Sequence, residues 1–150
     1  MTSSKEEILE SIESLLRSQH LGVLATQGNE YPYCTLVAYA ISEDLREIIF
    51  ATLRDTRKYR NIKKTPSVSL LIDSRTNQVN DFKDVEALTA VGSAEEISDE
   101  LKSGYLRSYL EKHPSLDGFA KAPDCALMKI QVAKYILVQH FQNVTEYDVP

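Results

Sequence analysis

The sequence predicts a mainly β protein: one antiparallel β-barrel with helices packed outside it or across its ends. Six or so short strand patterns follow one another with short turns, and only a few segments have a helical pattern. The strands between residues 21 and 53 lie too close together in the chain for the crossover helices that a parallel sheet needs. The chain has 150 residues, 43% hydrophobic and 26% charged, so we expect a single domain spanning 1–150.

The N-terminal segment 1–20 is expected to form a helix. Its apolar residues recur on one stripe: Ile8, Leu9, Ile12, Leu15 and Leu16. Ser3 and Ser4 each precede a glutamate by three residues, so either can start a capping box. Gly22 predicts that the helix ends near Gln19 or His20.

Residues 21–97 are expected to hold the core strands and one short helix. Strand patterns cover 21–27, 31–41, 48–53, 67–73 and 85–97, with a polar loop at 74–84. The third strand is apolar enough to be buried on both faces, and Gly92 suggests a bulge or bend in the fifth.

A helical insertion is predicted at 98–122, and C-terminal strands at 123–150. Its main helix is expected to start near Ser98 and Asp99 and to stop before Pro114. The pattern over 126–141 predicts one long strand, or two shorter strands broken around Ala133.

The charge distribution singles out residues 54–64. The chain carries 17 basic and 22 acidic residues, a net charge of −5, yet RDTRKYRNIKK has six basic residues and one acid, a local charge of +5. The overall acidity argues against nucleic acid as a partner. A local positive field of this kind indicates either an anion site or a solvated helix face.

A helix that begins near Thr56 turns this window into a candidate phosphate site. The N–H groups of the first helical turn lack helical partners, and they converge with the positive end of the helix dipole. Arg57 and Lys58 add charge there, whereas Arg60, Lys63 and Lys64 are expected on a solvated face. In the competing interpretation, Asp55 caps the helix and pairs with Arg57 or Lys58.

Few other features point to chemistry or to a compartment. No apolar run is long enough to cross a bilayer, and the N-terminus is too polar for a signal peptide, so we expect a cytoplasmic protein without a membrane partner. Cys34 and Cys125 suit a reducing compartment, and Cys34 is expected to be buried. The three histidines are scattered, which predicts surface or interface positions and no metal site.

Residues 50–73, FATLRDTRKYRNIKKTPSVSLLID, resemble the central signature of the pyridoxamine 5'-phosphate oxidase-like proteins, the FMN-binding split β-barrels. In that family, an aromatic-x-Thr strand end leads to Ser or Thr followed by Arg-Lys, a short helix, a Pro and a Val-Ser-Leu-Leu-type strand. The resemblance extends through 21–37 and 88–97. It implies a split antiparallel β-barrel of the FMN-binding type.

The resemblance also implies a cofactor site. Thr56, Arg57 and Lys58 match the residues that hold the FMN phosphate in that family. Ala51 and Thr52 match the strand end beside the ribityl chain and flavin ring, and Thr35, Leu36 and Val37 match the neighbouring strand, whose backbone lines the ring. The family implies a homodimer with flavin sites at the interface, and an oxidoreductase that passes hydride or electrons to a small-molecule substrate. No catalytic residue is identified.

Departures from the family pattern argue against pyridoxamine phosphate as the substrate. The true oxidase has an arginine and a lysine near the positions of Cys34 and Tyr39, a glutamine near Ala87, and C-terminal elements with tryptophan, whereas this chain has no tryptophan. FAD and haem remain alternative cofactors, with His140 as the candidate haem ligand. The alternative functions are a haem-binding or haem-degrading protein and a non-catalytic flavin-binding module.

Overall fold

Seven antiparallel strands form one sheet in the computed structural model, which describes residues 4–150. The elements are α1 Lys5–Ser18, β1 Leu21–Gln27, β2 Pro32–Ile41, β3 Glu47–Leu53, α2 Arg57–Lys64, β4 Ser67–Asp73, α3 Asp81–Asp84, β5 Ala87–Glu96, α4 Lys102–Lys112, a 3-10 turn Pro114–Leu116, α5 Asp117–Ala120, β6 Cys125–Gln139 and β7 Asn143–Asp148. The strand order is β3-β2-β1-β4-β5-β6-β7, and β3 also pairs with β6. Six strands therefore close into a barrel, and the predicted fold class is confirmed.

Strand β3 is buried on both faces, as its sequence predicted. Ile48 and Phe50 point into the barrel, where they pack with residues such as Leu24, Leu70 and Met128. Ile49 and Ala51 point outward and are covered by Tyr109 of α4 and Ala120 of α5. This covering explains why β3 lacks the polar-apolar alternation of a strand with one wet face.

Helix α1 packs its apolar stripe into the barrel core. Ile12, Leu15 and Leu16 are almost fully buried among the interior side chains. Ser4 caps the helix by accepting the N–H of Glu7 at 3.2 Å, while Ser3, the other candidate cap, lies outside the described residues. Within residues 4–150, no helix is both long and apolar enough to cross a bilayer.

Several element boundaries differ from the sequence prediction. Helix α4 begins at Lys102 because 98–101 forms a turn, closed by Leu101 N–H to Ser98 O at 3.0 Å. The loop at 74–84 ends in the one-turn helix α3. Strand β6 is one unbroken strand, and the pattern over 126–141 missed the hairpin that follows it. The loop of that hairpin has three residues, 140–142, and it turns at His140 and Phe141, whose φ values of 49° and 68° lie in the left-handed region.

Two side-chain placements were also wrong. His113 is buried, with 6% exposure, and its Nε2 lies 2.7 Å from the carbonyl oxygen of Tyr39. Burial lowers the pKa of His113, so its neutral form is favoured inside the fold. Cys34 is exposed because it lies on the outer face of β2.

Gly92 sits at a bulge, as predicted, since the β5–β6 register shifts between Val91 and Gly92. A Cβ at residue 92 would lie 2.1 Å from the carbonyl oxygen of Gln131. We expect Gly92→Ala to lower the free energy of unfolding by about 2–4 kcal/mol, because backbone must move to relieve the clash. Urea unfolding checks this against Gly104→Ala, where nothing lies within 4 Å of the new Cβ. An equal change in both variants would contradict the clash.

Candidate functional site

The pairing between β2 and β3 is interrupted after three residue pairs. It runs only from Tyr39 opposite Phe50 to Ile41 opposite Ile48. Beyond these pairs, β2 stays paired to β1 and β3 to β6, but the two facing edges are not joined to each other. We call the gap between the edges of residues 35–38 and 51–53 the split. At about 3.3 Å per residue, it extends for about 10 Å and presents free backbone donors and acceptors.

A tyrosine from α4, Tyr109, lies at the closed end of the split, next to the paired residues Tyr39 and Phe50. The Tyr109 hydroxyl donates to the carbonyl oxygen of Ala38 at 3.1 Å. Tyr109 is almost fully buried, and this burial raises its pKa to about 12. The phenol therefore remains protonated near neutral pH and stands where the next β2–β3 hydrogen bonds would have formed.

The five predicted strand residues border the split, but their side chains point in different directions. Leu36 lies on the outer face with 64% exposure, whereas Val37 points into the core and Thr35 is half-buried. Ala51 and Thr52 are buried, with 8% and 1% exposure. Backbone atoms and the Leu36 side chain are therefore what this region offers to a ligand.

Helix α2 begins at the open end of the split, and Thr56 fixes its position. The Thr56 Oγ1 accepts the N–H of Tyr59 at 3.3 Å, donates to the carbonyl oxygen of Leu53 at 2.8 Å and lies 3.1 Å from Thr52 Oγ1. Asp55 does not cap the helix. It pairs with Arg60 at 3.1 Å, so the competing interpretation of Asp55 was wrong. Within residues 4–150, the N–H groups of Arg57 and Lys58 have no acceptor.

Arg57 and Lys58 lie in different surroundings. The Arg57 guanidinium donates to the Tyr31 hydroxyl and lies 5.3 Å from the centre of the Tyr33 ring. Lys58 is half-buried, and in the part of the chain that the structure describes it makes no hydrogen bond or ion pair. Burial lowers the pKa of Lys58. Of the two cations, Lys58 is the one without a partner.

A half-buried carboxylate, Glu96, contacts residues on both sides of this turn, and sequence reasoning missed it. Glu96 accepts from Arg54 at 2.7 Å and from the Tyr59 hydroxyl at 2.6 Å. Burial alone would raise the pKa of Glu96, but these bonds and the Arg54 charge outweigh it and lower the pKa. The Arg54 guanidinium also donates to the carbonyl oxygen of Pro123 at 3.0 Å. These contacts join residues more than 35 positions apart, so no local motif reveals them.

The described histidines and acids form no metal centre. Among residues 4–150, no group of three or more His, Cys, Asp or Glu side chains could hold a metal ion. His140 lies exposed at the tip of the β6–β7 turn, far along the chain from the split residues.

A closed antiparallel barrel with an interrupted strand pair defines the split-barrel class. A family model described as pyridoxamine 5'-phosphate oxidase matches residues 8–139. The chain therefore belongs to the pyridoxamine 5'-phosphate oxidase-like family, and the resemblance seen in its sequence is confirmed. No curated protein sequence matches the chain significantly.

Solved structures share the fold at low sequence identity. A protein of Clostridium acetobutylicum related to general stress protein 26 has a TM-score of 0.74 at 18% identity, with 97% of each chain covered. A haem-binding protein from Mycobacterium smegmatis has a TM-score of 0.82 at 16% identity; the match covers 99% of this chain and 59% of that longer one. An FAD-binding protein from Mesorhizobium loti has a TM-score of 0.67 at 19% identity and coverages of 86% and 90%.

Proposed function

We propose that the protein binds FMN with the phosphate at the N-terminus of α2 and the flavin along the split, and that it acts as a flavin-dependent oxidoreductase. Lys58 carries this proposal. It is a half-buried cation with no partner among the described residues, in the first turn of a helix whose Arg57 and Lys58 N–H groups are also free. Removing a cation from water is unfavourable without a compensating charge, and a helix N-terminus disfavours a cation further. A phosphate would satisfy all three groups together.

The family supplies the second support for a flavin. The ribityl chain and ring carry polar groups that suit those backbone groups of residues 35–38 and 51–53 that face the split. Bound FMN would supply hydride or electron transfer. The chain's own contribution is to hold the phosphate, line the ring with backbone, and exclude water from the closed end with Tyr109.

The substrate is expected to differ from pyridoxamine phosphate. Cys34 is exposed and Tyr39 is buried, with its hydroxyl donating to the Leu16 carbonyl oxygen at 2.7 Å. Neither side chain replaces the arginine and lysine of the true oxidase. Reduction of bound flavin by NADH or NADPH, followed by reoxidation, separates an oxidoreductase from a non-catalytic flavin-binding module.

Removal of both first-turn cations tests the phosphate site. We expect Arg57→Ala with Lys58→Ala to weaken FMN binding by about 2–4 kcal/mol, because each side chain would lose a charge-assisted bond to phosphate. Quenching of FMN fluorescence measures the affinity, with riboflavin as the ligand that lacks the phosphate. Lys63→Ala is the matched control, since Lys63 is exposed on the same helix and lies over the Tyr59 ring. Equal FMN affinity in the double variant and in the control would move the phosphate elsewhere.

We propose a homodimer that covers the split from outside. Residues that pair directly across neighbouring strands lie on one face, and an outer row runs over five strands. It consists of Leu36, Val23, Leu71, Thr89 and Ile136. Leu36 is largely exposed and the other four are half-buried. An apolar row that begins at the split is suited to an interface with a second copy that completes the flavin site.

Introducing a charged side chain into this outer row tests the proposed dimer interface. We expect Leu36→Asp to raise the dimer dissociation constant at least about a hundredfold, because two-fold symmetry would bury the new carboxylate twice without a partner. Light scattering after size-exclusion chromatography measures the mass. Leu101→Asp is the control, with a similarly exposed leucine just before α4 (56%). A dimer that persists in Leu36→Asp, or a wild-type monomer, would contradict this interface.

Haem binding is the second candidate function, and the surroundings of His140 favour it. The exposed imidazole adjoins an exposed aromatic pair, Phe82 and Phe141, whose ring centres lie 6.4 Å apart. One imidazole ligand beside apolar rings is a minimal haem site. We expect hemin titration to give a Soret band that His140→Ala removes and His20→Ala retains. A band that survives in His140→Ala, or no band at all, would contradict haem ligation by His140.

A further inference from the structure

A positively charged cavity lies on the face of α2 that carries Arg57. It has a volume of about 490 Å³, is open to solvent, and lies between the helix and the β1–β2 turn, residues 28–31. The helix contributes Arg57, Arg60, Asn61 and Lys64 to its wall. Spacings of three, four and seven residues place these side chains on one face. Arg60 and Lys64 are exposed, as expected, and they also form part of one wall of this open cavity.

The three cations of this cavity outnumber the one acid that lines it, Glu30. Arg57 contacts the neutral Tyr31 hydroxyl, and Lys64 donates to the Asn29 side-chain oxygen at 2.9 Å. Arg60 pairs with Asp55, but both side chains are highly exposed, and such pairs contribute little. Like charges one or two turns apart on a helix repel one another. A concave wall with three cations concentrates positive potential and favours an anionic ligand.

The remaining lining residues suit an adenosine. Tyr31 is 49% exposed and borders both this cavity and a neighbouring one of about 540 Å³, so one face of its ring is available for stacking on a base. The carboxylate of Glu30, which also borders both cavities, can accept hydrogen bonds from the hydroxyl groups of a ribose. Its negative charge disfavours a phosphate on that ribose.

Distances along the helix match the length of a dinucleotide. The rise of 1.5 Å per residue places Arg60 about 4.5 Å and Lys64 about 10.5 Å beyond Arg57 along the axis. The cavity wall thus begins at the helix end where the flavin phosphate is proposed and continues away from the split. A second phosphate and its adenosine would follow this wall.

We propose that this cavity binds the adenosine-phosphate half of a dinucleotide whose other half lies in the split. The inference rests on the proposed flavin site, because it extends the ligand from there. Two ligands share this chemistry: FAD as the cofactor, and NADH as the reductant of a bound flavin. In either case the adenosine phosphate meets Arg60 and Lys64, which the FMN phosphate does not reach.

Titrations with FMN, FAD, ADP and NADH test the cavity. With FAD as the cofactor, wild-type protein binds FAD at least about tenfold more tightly than FMN, and Arg60→Ala with Lys64→Ala brings this ratio close to one. With NADH as the reductant, FMN and FAD bind with similar affinity. ADP then binds the FMN-loaded protein and raises the KM for NADH, and Arg60→Ala with Lys64→Ala weakens this ADP binding about tenfold. Lys63→Ala is the control for both.

Failure of the cavity and failure of the flavin site give different results. Equal affinity for FMN and FAD, with no ADP binding to the flavin-free or the FMN-loaded protein, would overturn the cavity and leave the flavin proposal intact. The cavity proposal would also be overturned if Arg60→Ala with Lys64→Ala changed the affinity for ADP no more than Lys63→Ala does. ADP binding that requires Arg60 and Lys64 in a protein that binds no flavin would support the cavity and contradict the flavin site.

Discussion

The short pairing between β2 and β3 is the constraint on which the rest of the site depends. Three residue pairs join these strands, whereas β1 and β2, or β3 and β6, pair over seven. The barrel still closes because β3 pairs fully with β6 on its other edge. The fold can therefore leave the split unpaired without disturbing its core, and the backbone edges of the split are where we propose that the flavin binds.

Helices α4 and α2 lie at the two ends of the split. Tyr109 of α4 donates to the Ala38 carbonyl oxygen at the closed end and is almost fully buried there. At the open end, Thr56 ties α2 to the end of β3, and Glu96 holds Arg54 and Tyr59 on either side of the turn. The first-turn N–H groups are thus positioned by contacts to the ends of two strands, β3 and β5. A helix N-terminus fixed in this way needs little rearrangement to receive a phosphate.

The sequence predicted those features that local patterns record. Alternation and turn residues located the first six strands, Gly92 indicated the bulge, and the Thr-Arg-Lys motif located the start of α2. The β6–β7 hairpin was missed because its turn uses His140 and Phe141 instead of glycine or asparagine. The burial of His113 and the role of Glu96 depend on contacts between distant parts of the chain, which no local pattern contains. Charge alone did not show that Arg57, Arg60 and Lys64 share a cavity, since that depends on the position of the β1–β2 turn.

Hydrogen–deuterium exchange with and without FMN tests most directly whether the split is the flavin site. If it is, bound FMN slows exchange at those backbone amides of residues 35–38 and 51–53 that face the split and at the first-turn amides of Arg57 and Lys58, and it leaves the β6–β7 hairpin unchanged. Slower exchange confined to other parts of the chain, while FMN binds, would contradict this account.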